Sequence, residues 1–114
     1  MKLTSILVAV AIASTILTTA HAANMRIGGE TMTCSAAKRF AIDNRSDRLG
    51  LADVAARLII LNKRLLQSKP RYLRRFVFLH ECGHLNVGHS EVKADCWAVK
   101  RASREGWFKP THLD

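Results

Sequence analysis

Between Pro70 and Val87 the apolar residues Leu73, Phe76, Val77 and Val87 recur at spacings of three and four, and His80 and His84 fall on the same stripe. That period belongs to a helix that buries one side. The chain must therefore hold an amphipathic helix whose inward face carries two imidazoles where a core would take leucine. A buried polar ring without a partner costs free energy, so a fold that accepts two of them must give them something to bind. Pro70 suits the first turn of this helix, and Gly88 can end it in a left-handed turn. Ser90 can cap a second helix running from Glu91 to Arg104, which Gly106 and Pro110 then stop. With only Gly88, His89 and Ser90 between them, the two helices must lie against each other at an angle.

The histidines belong to His80-Glu81-Cys82-Gly83-His84, an HExxH motif. Four residues turn a helix through about 400 degrees, so the two side chains leave nearly the same side one turn apart and can reach one zinc ion. Glu81 flanks the first of them. A carboxylate there can take a proton from zinc-activated water and later pass it to a leaving amine. A hydrolytic zinc site also needs a third protein ligand, with the fourth place left to water. The candidates are His89, Glu91 and Asp95. Glu91 and Asp95 are four apart and share a face of the second helix, an arrangement in which Glu91 binds zinc while Asp95 orients a histidine through its second ring nitrogen. His89, in the turn, is the rival ligand or a further supporting residue.

HECGHLNVGH followed by EVKAD resembles the gluzincin type of zinc metallopeptidase, which joins HExxH to a later ExxxD, as in the ImmA/IrrE-like proteases and the membrane-associated HtpX and CAAX-prenyl proteases. The resemblance covers about residues 57 to 102, including LIILN ahead of RRFVFLHECGHL. It implies His80, His84 and Glu91 as metal ligands, Glu81 as the catalytic residue, Asp95 as the acid one turn further on, and an edge strand above the metal helix. Six residues separate His84 from Glu91, fewer than those families usually show.

Met1-Lys2, the uncharged run Leu3 to Ala20 and the small residues of Ala20-His21-Ala22 read as a secretory signal peptide over residues 1–22. The remainder, 23–114, is one domain with a charge of +8, Lys2 being the only charge lost. A domain so small often needs a metal or a disulfide. Export, to the periplasm or beyond the cell, brings an oxidising compartment in which Cys34, Cys82 and Cys96 can form one bridge. A Cys82–Cys96 bond tying the two helices together is the favoured pairing, with Cys34 bonding one of them as the alternative.

Elsewhere, Gly28-Gly29 reads as a hairpin turn, 45–51 as a loop and 57–62 as a strand. The expected fold is α+β, a small zincin-like domain with two metal-binding helices and a short sheet. The expected activity is hydrolysis of a protein or peptide substrate by zinc-activated water, with the strand near 57–62 aligning the substrate. Size supports a second reading, a non-catalytic zinc-containing binding module of the cell envelope, which would have no need of Glu81. The basic clusters Lys63 to Arg75 and Lys93 to Lys109 would adhere to anionic envelope surfaces. No element of a kind that reads nucleic acid is present, so no specific nucleic-acid partner is expected.

Overall fold

The computed structural model describes residues 8–12 and 24–109. The expected signal peptide, apart from 8–12, and the Pro110 stop lie outside them. No described helix is long and apolar enough to cross a membrane.

The described chain is a small α+β domain of two sheets and three helices. Strands β1 (Asn24–Ile27) and β2 (Glu30–Thr33) form an antiparallel hairpin that pairs Met25 with Met32 and Ile27 with Glu30. Its two-residue turn needs positive φ at both positions, and Gly28 and Gly29 supply it at 57° and 80°. The second sheet contains β3 (Arg39–Ile42), β4 (Gly50–Asp53) and β5 (Leu58–Leu61) in the order β3-β5-β4, with β3 parallel and β4 antiparallel to β5.

This arrangement corrects the expected edge strand. Leu58-Ile59-Ile60-Leu61 is the middle strand, as a continuous apolar run flanked on both sides should be. The edge beside the helices is β4, whose first two residues fall in the stretch expected to be a loop. Four residues with little alternation give too weak a strand signal to separate from a turn.

After β5, Asn62 caps the short helix α1 (Lys63–Gln67), its Oδ1 accepting from Leu65 N at 3.0 Å while its Nδ2 donates to the Ser46 carbonyl at 2.6 Å. Helix α2 (Arg71–Val87) follows Pro70, and α3 (Glu91–Arg104) follows Ser90, whose hydroxyl accepts from Lys93 N at 3.2 Å. The core lies between α2 and the sheets. Phe78 stacks on Phe40 with ring centroids 5.7 Å apart, and Ile27, Ile59, Leu61 and Leu66 are fully buried around them. Side chains of this size contribute about 1.5–3 kcal/mol each on burial.

A covalent bond joins α2 to the segment after the hairpin: Cys34 and Cys82 form a disulfide with their Cα atoms 5.8 Å apart. The favoured Cys82–Cys96 pairing is therefore wrong. Cys82 points into the core, and Cys96 is a free thiol on the exposed side of α3. Glu30, mostly buried at the start of β2, adds ion pairs to Arg71 and to Arg75, the latter at 3.3 Å.

Candidate metal centre

Helices α2 and α3 approach closely because their contact is made of the smallest residues. Ala94, Ala98 and Ala102 form a fully buried stripe along α3. Opposite Ala94 stands Gly83, where a Cβ would come within 2.9 Å of the Ala94 carbonyl oxygen. A methyl group there would force the backbones apart. The glycine within HECGH thus sets how near the first turn of α3 comes to the histidines.

His80 and His84 leave α2 one turn apart with their ring planes at 88° and their Nε2 atoms 3.1 Å from each other. The first turn of α3 brings Glu91 across both. One carboxylate oxygen lies 3.0 Å from His80 Nε2 and the other 2.9 Å from His84 Nε2. The opposite ring nitrogens are also engaged. His84 Nδ1 is 2.7 Å from the Gly88 carbonyl, which can only accept, so Nδ1 carries the proton. His80 Nδ1 is 2.7 Å from Asp95 Oδ1, and an ionised carboxylate fixes its proton in the same way.

With Nδ1 taken up in this way, each ring can turn its Nε2 toward the same point, where Glu91 adds a carboxylate. Two such nitrogens and a carboxylate brought this close make a donor set of the kind that holds a divalent cation. Their separations suit one. A tetrahedral ion held by nitrogen and oxygen at about 2.0–2.1 Å has ligand atoms roughly 3.3 Å apart, and the two Nε2 atoms, 3.1 Å from each other with a Glu91 oxygen 3.0 Å from one and its second oxygen 2.9 Å from the other, are spaced on that scale. His80, His84 and Glu91 are the residues among those described that could hold a metal ion.

Glu81 is not part of the triangle. Its residue is buried to 7% exposure beside it, and its side chain lies against Gly50 of β4, where an added Cβ would be 3.0 Å from Glu81 Cγ. Burial raises its pKa above the ordinary carboxylate range, an effect that His80, His84 and Arg48 oppose and Glu91 reinforces. An open cleft of about 490 Å³ runs between α2 and β4, lined on one side by His80, Glu81 and His84 and on the other by Gly50, Leu51 and Ala52.

Of the residues singled out in the sequence, His80, Glu81, His84, Glu91 and Asp95 come together. His89 is exposed on the cleft rim and is not in the triangle. Cys82 and Cys96 both face away from it. Sequence reading missed Gly83 and Gly50, whose lack of a side chain allows the two close approaches, and Arg48, which lines the cleft just before β4. The Ala94-Ala98-Ala102 spacing was the readable sign of the first approach. Arg48 ends a polar run and Gly50 stands between two leucines, and neither carried such a sign. The chain matches no family model, no curated protein and no solved structure.

Proposed function

We propose that this chain is an exported zinc-dependent peptidase of zincin type. The observation that carries the reading is the convergence of two Nε2 atoms and the Glu91 carboxylate beside a buried acid, at the wall of a cleft bounded by a strand edge.

His80, His84 and Glu91 would hold the ion, and Asp95 and the Gly88 carbonyl would keep the two rings in the ligating tautomer. Zinc held in such a place supplies Lewis acidity, polarising a scissile carbonyl and easing deprotonation of water. Glu81 supplies the proton path. Its carboxylate takes a proton from the attacking water and hands it to the leaving amine nitrogen, and a carboxyl made less acidic by burial is suited to holding that proton between the two steps. Among the described residues β4 has a neighbour on one side only. Its free backbone groups can take up an extended peptide as a further strand, which presents the peptide bond along the line of Glu81 and the histidines. The Cys34–Cys82 disulfide is compatible with an oxidising, extracytoplasmic setting.

The test is metal content together with cleavage. Protein covering 23–114 is expected to carry about one zinc per chain, which His80→Ala loses, and Glu81→Gln is expected to keep the zinc while losing cleavage of a peptide library. A folded wild type that binds no zinc would end the reading, and equal cleavage by Glu81→Gln would remove Glu81 from the chemistry.

A further inference from the structure

Two acids, Glu81 and Glu91, line the cleft on the helix side, and Arg48 alone brings a full positive charge to it from the strand side. Arg48 is exposed, its backbone N–H is taken by Ser46, and among the described residues its guanidinium has no hydrogen-bond or ion-pair partner. Its field nevertheless reaches Glu81. A guanidinium that faces a binding cleft with its donors unused is equipped to grip a planar anion through two parallel hydrogen bonds.

Strand direction says where that anion would sit. Antiparallel pairing is the more stable kind, and a peptide laid antiparallel on β4 runs with its C-terminal end toward the start of the strand. Gly50, the first residue of β4, is level with Glu81. Arg48 lies two positions earlier, roughly 7 Å of extended chain further on. Peptide residues past Glu81 in the C-terminal direction therefore approach Arg48.

Building on the peptidase reading, we propose that Arg48 binds a carboxylate within two residues on the C-terminal side of the scissile bond, so that the preferred substrates are acidic there. The carboxylate has two sources: the chain terminus itself, or the side chain of Asp or Glu. Leu49, Leu51 and Val54 beside it give the same cleft an apolar wall, which leaves the charge to set the register of the peptide.

The test profiles a random decapeptide library prepared as free acids and as C-terminal amides, each with Asp and Glu present or replaced by Asn and Gln. Products are expected to carry a carboxylate within two residues after the cut. Neutralising it is expected to lower kcat/KM roughly tenfold or more, chiefly through KM. The acid-against-amide arm identifies a terminal carboxylate and the Asp/Glu arm a side chain. Arg48→Gln should bring charged and neutral peptides to the same rate, and Arg48→Lys should restore part of the preference. If Arg48 merely steadied Glu81, its loss would slow all peptides alike, and that result overturns the proposal.

Binding of the same peptides to the Glu81→Gln protein reads the contact without turnover. Cleavage with no charge preference sinks the Arg48 proposal and leaves the peptidase reading standing. Arg48-dependent binding of acidic peptides with no cleavage by wild type ends the peptidase reading and keeps of the proposal only that Arg48 binds a peptide carboxylate. A chain that neither cleaves nor discriminates loses both.

Discussion

Helix α2 is held on its two sides by opposite means. Toward α3 the contact is made by what is missing: Gly83 has no side chain, Ala94 and Ala98 have one carbon each, and the backbones close up. Toward the sheets it is made by bulk and a covalent bond, with Phe78 and Leu79 in the core and Cys82 bonded to Cys34. The first side is built of small side chains and brings Glu91 and Asp95 to the histidines. The second side carries the bulkiest buried side chain of α2, Phe78, and the disulfide. This division predicts that position and stability are separable, so substitutions on the two sides should give different signatures.

The largest effect is expected on the sheet side. Replacing Cys34 and Cys82 together by Ser releases a loop spanning 48 positions, which chain-entropy arguments put at about 4 kcal/mol of stability. Urea unfolding measures it. At low temperature, where the variant is still folded, its zinc affinity should be close to that of wild type. A large loss of affinity in the folded protein would break the separation.

Gly83→Ala should cost about 1–3 kcal/mol, the usual range for overpacking. It should also weaken zinc binding by more than the disulfide variant does, because the new methyl meets backbone atoms of α3 that cannot rotate aside. Competition with a chromophoric chelator reports the affinity. A Gly83→Ala protein with unchanged affinity would show that α3 can shift without moving Glu91.

Asp95→Asn sharpens the comparison further. Asp95 is exposed and touches the site only through His80 Nδ1, so unfolding should hardly change while zinc affinity falls about 10- to 100-fold. The smallest effect should come from Ser90→Ala, which removes the hydroxyl that accepts from Lys93 N. Loss of such a cap costs about 1 kcal/mol, read as a small drop in thermal midpoint. Any accompanying change in metal affinity would mean that the start of α3 frays as far as Glu91.

The helices were legible in the sequence because each side chain of the α2 stripe repeats the same 3.6-residue message, and because Gly88 and Ser90 punctuate it. Ile59 and Ile60 marked β5, and Gly28-Gly29 marked the hairpin, since each rests on a strong local preference. β3 and β4 escaped: Arg39-Phe40-Ala41-Ile42 and Gly50-Leu51-Ala52-Asp53 become strands only because β5 lies between them, which is information from outside the segment. α1 was missed for a related reason, since five residues make a poor helix by themselves and Asn62 anchors this one by bonding to Ser46, far upstream. The candidate site divides in the same way. Its histidines and acids follow from helical spacing, whereas the Cys34 bond and the place of Arg48 depend on how distant segments meet.

His80 and Asp95 are fifteen positions apart, and every group that could grip or support an ion lies on that one stretch. The proposed metal centre would consequently be portable: a helical hairpin of this kind could be transplanted onto another scaffold with every candidate ligand and supporting group in place. The selectivity proposed for Arg48 and the β4 edge could not travel with it, because both are contributed from some thirty positions upstream and would have to be invented afresh in any new host.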